Sequence, residues 1–132
     1  MRTLEQIKHA YEEEELTENL LRKKHVSDIV NKMGKDFVGT MEESIFSEDE
    51  HSRLCFELKD FHKQDNHNGW AFHRLEDLVK KEVEILRQKL QRQMKKAGHT
   101  EWILSVYNSE GYDRDSRYHI CKIKLEKERK KD

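Results

Sequence analysis

The sequence predicts an α+β domain in which a three-stranded antiparallel sheet packs against one long helix, with amino-terminal helices beside it. Three observations carry that expectation. Apolar residues recur at three-to-four spacing through two long stretches, they alternate with polar ones over residues 53–61, and two β-rich runs flank a polar, glycine-containing loop at residues 108–116. With 132 residues, the chain has the length of one mean-sized domain.

The first helix opens at Thr3 and Gln6, which have the spacing of a capping box, with Leu4, Ile7 and Tyr11 on the period behind them. Leu16, Leu20 and Leu21, then Val26, Ile29, Val30, Met33 and Phe37, continue it. A phase shift at residues 23–25 predicts a break into two helices, and Gly34 or Gly39 is the expected stop. From Arg53 to Phe61 the period becomes two, with Leu54, Phe56 and Leu58 on one face, the mark of a half-buried strand. A polar turn at residues 64–69 follows, with Asn68 as the expected N-cap. Phe72, Leu75, Val79, Val83, Leu86, Leu90, Met94 and Ala97 then mark a long helix that Gly98 ends. Residues 101–107 are apolar on both faces, which predicts a central strand between 117–125 and 53–61. Residues 1–126 are expected to form one domain, and residues 127–132 a frayed basic tail.

Composition narrows the setting. Charged residues make up 40% of the chain and Leu, Ile, Val and Phe number 30, enough for a modest core and little more. No run approaches 18 apolar residues and the first 15 residues are acidic, so neither a membrane span nor a basic targeting segment is expected. Two cysteines, Cys55 and Cys121, are too few for a disulfide framework, which points to a reducing, cytoplasmic setting. The net charge of −1 hides a segregation: residues 1–66 carry 10 basic and 16 acidic side chains (−6), residues 67–132 carry 16 and 11 (+5).

Several residue sets invite a functional reading. His62, Asp65, His67 and His73 crowd the entrance of the long helix, where imidazoles and a carboxylate could collect a transition metal, although their spacing matches no zinc pattern. The same residues also serve as turn and cap formers, and no cofactor is expected. Glu57 and Lys59, two apart on a strand, are the minimal outline of a metal-dependent nuclease, with Asp49, Asp113 or Asp115 as companion acids. No phosphate loop, nucleophile elbow or calcium loop is present, so catalysis is not expected. Arg92, Lys95 and Lys96 at the end of the long helix, with Arg114 and Arg117 at the hairpin tip, could form one basic face that engages nucleic acid in the manner of a winged helix. The leading expectation is a regulatory or inhibitory interaction protein whose acidic Glu12, Glu13, Glu14 and Glu15 meet a protein partner. The apolar stripe of the long helix could also serve a homodimer.

Overall fold

Thr3 begins the first helix as its spacing predicts: its Oγ1 accepts from the Gln6 backbone N–H at 3.3 Å, and the Gln6 side-chain oxygen accepts from the Thr3 N–H at 3.0 Å. The computed structural model describes residues 1–61, 72–113 and 116–128, and of residues 72–74, 112–113 and 116–118 the backbone alone. Its elements in chain order are α1 (Leu4–Ser47), β1 (Arg53–Glu57), a 3₁₀ turn (Leu58–Phe61), α2 (Phe72–Lys96), β2 (Trp102–Asp113) and β3 (Ser116–Lys127). The class is α+β, with a three-stranded antiparallel sheet in the order β1-β3-β2.

Several expectations are corrected. The two amino-terminal helices are one helix of 44 residues, which runs through residues 23–25 and past Gly34 and Gly39. The phase shift at 23–25 marks the point where packing begins, because the first buried residue of α1 is Val26. Both glycines stay helical. Gly34 lies where α1 crosses α2, and a Cβ there would overlap Cδ1 and Cδ2 of Leu86, whereas Gly39 has open space around it. The actual stop is Glu48, in the left-handed conformation at φ 55°, followed by a backbone bond from Asp49 N–H to Ser44 O at 2.9 Å. Beside this cap the hydroxyls of Ser44 and Ser52 bond to one another. α2 ends as expected at Gly98, φ 88°, where no side chain has to be accommodated.

The central strand is β3, not the run 101–107. The inward residues His119, Cys121, Ile123 and Leu125 are at most 1% exposed, and β3 pairs with both neighbours, Phe56 lying opposite Cys121 and Leu104 opposite Leu125. β2 is an edge strand. Its inward Trp102 and Leu104 are buried against α2, while Ile103 and Tyr107 lie on the open face at 36% and 44% exposure. These outer residues made the run look two-sided. Tyr107 is held there by amphipathic neighbours, with Lys124 Nζ 4.7 Å from its ring centroid and its hydroxyl donating to Glu126 Oε1 at 2.9 Å. The expected loop at 108–116 is mostly ladder, since pairing continues to Asp113 opposite Ser116. The strand expected over 53–61 ends at Glu57, and Lys127, expected in the tail, belongs to β3.

α2 lies along β2 and β3, and α1 packs on α2 and β1. The stripe Leu75, Val79, Val83, Leu86, Leu90 and Met94 is wholly buried between them, so it is core and leaves nothing over for a dimer. α2 also covers the free edge of β2. Gln91 Nε2 donates to Trp102 O at 3.0 Å, its Oε1 accepts from Leu104 N–H at 2.8 Å, and Arg87 Nη1 donates to Leu104 O at 3.4 Å. A side-chain amide thus stands in for a fourth strand at a position that would otherwise invite pairing. Arg87 is steadied by Glu84, to which Nε and Nη2 donate at 3.0 and 2.6 Å.

The two thiols sit on opposite faces of the sheet. Cys55 is exposed and Cys121 is fully buried, and burial pushes the Cys121 thiol up to about 11. An aromatic disulfide reagent should therefore modify one thiol per folded chain, and two in denaturant. Two fast-reacting thiols without denaturant would contradict the placement of Cys121 on the inner face.

Candidate functional site

Two places in the fold depart from what packing alone requires: the amino-terminal half of α1, and a polar cluster where α2 enters the sheet.

Between Leu4 and His25 no residue of α1 is buried, while Val26, Val30, Gly34, Phe37, Met41 and Ser44 form the seam that packs. The first 22 residues of the helix therefore extend as an arm of roughly 33 Å at 1.5 Å per residue. Its large apolar residues are open to water: Leu4, Tyr11, Leu16, Leu20 and Leu21 are each at least 59% exposed, and Ile7 is 37% exposed. At 100° per residue Leu4, Ile7 and Tyr11 fall on one side, and Leu16 and Leu20 about half a turn away. No single stripe results. Glu12, Glu13, Glu14 and Glu15 all lie exposed between the two apolar groups. Contacts among residues of the arm include His9 Nε2 3.0 Å from Glu13, Thr17 Oγ1 donating to Glu13 O, and Arg22 3.9 Å from Glu18. Exposed pairs of this kind contribute tenths of a kcal/mol.

The polar cluster joins three elements. Glu76 in the second turn of α2, Glu110 on β2 and His119 on β3 place one ligand-type atom each within 4.8 Å of one another. Glu76 is 5% exposed and His119 is 1% exposed. Lys80, one turn on from Glu76, reaches both carboxylates, its Nζ 2.9 Å from Glu76 Oε1 and 3.4 Å from Glu110 Oε1. Burial would raise the Glu76 carboxyl. Its hydrogen bonds with Glu110 and Lys80 and the charges of His119 and Lys80 outweigh burial and hold it below the ordinary carboxylate value. The Lys80 ammonium is held above its ordinary value, first by its bond to Glu76 and against its own partial burial.

The residues singled out from the sequence are distributed differently. His62, Asp65 and His67 lie outside the described residues, and His73 is described only as backbone in α2. Glu57 and Lys59 do not share a strand face: Lys59 is in the 3₁₀ turn and forms an exposed pair with Glu57 at 2.8 Å. Among the described residues, the backbone places the members of the basic set at two ends of α2. Arg92, Lys95 and Lys96 lie at the end of α2 that meets Trp102, whereas the Lys80 to Glu110 contact puts the hairpin tip at the start of α2. Arg117 belongs to that far end as a backbone position, and Arg114 lies outside the described residues. From Arg92 back to Lys80 the helix rises about 18 Å. Sequence reasoning missed the cluster of Glu76, Glu110 and His119, because its members are scattered over three elements and share no local motif. No known family, curated protein or solved structure matches the chain.

Proposed function

We propose that this chain is an interaction protein that engages a protein partner through the amino-terminal arm of α1, residues 4–25. The observation that supports this reading is the arm itself: a helix half with no buried residue that presents six large apolar side chains around four consecutive glutamates. An isolated helix of this length is marginal in water and is weakened further by like charges on adjacent turns. Exposed leucines and a tyrosine on such a helix are anchors of the kind that enter an apolar groove, and the acids suit a groove with a cationic rim. Two apolar groups on opposite sides fit a partner that clasps the helix better than one that offers a single flat face.

Deleting residues 1–24 is expected to leave the thermal midpoint of the remainder nearly unchanged, because the buried seam begins at Val26. It should abolish partner capture by the immobilised protein, as should Leu16→Asp with Leu20→Asp. Replacing Glu12, Glu13, Glu14 and Glu15 with glutamine should weaken capture and remove its salt dependence. An unchanged set of captured proteins after the deletion, or a large loss of stability, would sink the reading. Light scattering on the same samples distinguishes a second copy of the chain from a different protein.

A further inference from the structure

The cluster at the start of α2 carries an inference independent of the arm. Burying a carboxylate and an imidazole side by side in the core is costly, and a fold that needed only to close its core would place apolar residues there. The three side chains approach from a helix and two strands, so the site sits on rigid elements. His119 is oriented by its neighbour: Nε2 lies 3.2 Å from Asn108 Oδ1, an atom that can only accept. With the Asn108 amide in this orientation the ring donates from Nε2, and in that neutral tautomer Nδ1 bears the lone pair. A hydrogen bond from one ring nitrogen that sets the other for ligation is the usual outer shell of a metal-binding histidine.

We propose that Glu76, Glu110 and His119 form a three-ligand site for a divalent transition-metal ion, zinc or cobalt in type, with Lys80 as the resident counter-ion that the metal displaces. The distances allow it. Ligand atoms around a tetrahedral ion with bonds of about 2.1 Å are about 3.4 Å apart, so a set within 4.8 Å closes by an ångström or so. Glu110, 43% exposed, has the freedom to move in. Two carboxylates and a neutral imidazole balance a dication once the ammonium leaves and the protons on the imidazole and between the two carboxyls are released to water. An imidazole with two carboxylates favours zinc, cobalt or nickel over magnesium or calcium, which prefer all-oxygen shells of six or more. Three protein ligands leave one position for water, on the side that the exposed Glu110 opens.

The test is a titration of the full chain, free of purification tag and stripped with chelator, with cobalt(II) followed by visible absorption and zinc followed by calorimetry. One ion per chain is expected, with a rise in thermal midpoint that grows with free metal. Glu110→Ala should weaken binding about tenfold or more, read as the binding constant itself and not as the metal-free midpoint, since Glu110 also bonds to Glu76 and Lys80. His119→Ala removes a buried side chain and is not relied on alone. Lys80→Met is the sharper variant: it should lower the metal-free midpoint, since it strips Glu76 of its cation, bind metal more tightly than the unmodified chain, and regain its midpoint when metal is added. A merely structural ion pair would give the first effect without the other two. Absence of stoichiometric binding in both the unmodified chain and Lys80→Met would overturn the proposal. So would binding that is equally strong in Glu110→Ala, which would place the ion on other histidines.

Discussion

Phe56→Ala is expected to cost about 3–5 kcal/mol, the range for deleting a buried aromatic side chain, and to lower the thermal midpoint by roughly 10–20 °C. Phe56 has 0% exposure and its ring centroid lies 6.4 Å from that of Phe61. It stands opposite Cys121 on the central strand, and the 3₁₀ turn folds Leu58 and Phe61 under it. Truncation therefore opens a cavity among residues fixed by ladder bonds on one side and helices on the other, where little can collapse to fill it. Ile103→Ala is the matched control. Ile103 lies on the open face of the same sheet at 36% exposure, so its loss should cost about 1 kcal/mol or less. Chemical denaturation of both variants checks the pair, and similar losses would show that the two faces of the sheet are misassigned.

The two helical glycines should respond to alanine with opposite signs. Gly39→Ala places a methyl group in open space in the interior of α1, so the gain in helix propensity, about 1 kcal/mol, should appear almost whole as a midpoint a few degrees higher. Gly34→Ala earns the same propensity, yet its Cβ overlaps both methyl groups of Leu86, which is 3% exposed and hemmed in by the core. Overpacking at such a contact costs about 1–3 kcal/mol, so a net loss is expected. Shortening Leu86 to alanine should relieve the overlap, and the double variant should be more stable than the sum of the single changes predicts. Equal gains at both positions would mean that α1 and α2 do not cross at Gly34.

The candidate sites were unequally legible in the chain. Glu12 to Glu15 and the leucines around them are visible as composition, but nothing in their spacing shows that no residue in this half of α1 is buried. The apolar residues of the arm follow a helical period well enough to read as core, and only the burial that starts at Val26 separates them from it. The described part of the basic set is divided for a geometric reason. Lys95, Lys96 and the hairpin tip are near in sequence, yet β2 runs back along α2 and carries the tip to the other end. Glu76, Glu110 and His119 were invisible because a convergent site depends on strand register, and register joins residues that no local spacing relates.

Features settled within a few residues were readable from the chain alone. The capping box at Thr3 and the stop at Gly98 rest on contacts with near neighbours along the backbone, the periods of α2 and of Leu54 and Phe56 follow the local repeat of helix and strand, and each stands as read. Features that depend on which surfaces meet were decided by tertiary structure. The continuity of α1 through two glycines is one, since the close approach of Leu86 rewards a missing Cβ at Gly34. The central place of β3 is the other. An apolar outer face on residues 103–107 suggested burial on both sides, but Lys124 and Glu126 cover Tyr107 from the neighbouring strand, and Gln91 closes the edge from the helix. Long polar side chains from distant elements thus partner the Tyr107 ring and the free strand edge, while the outer face itself stays open, and only the assembled fold brings them there.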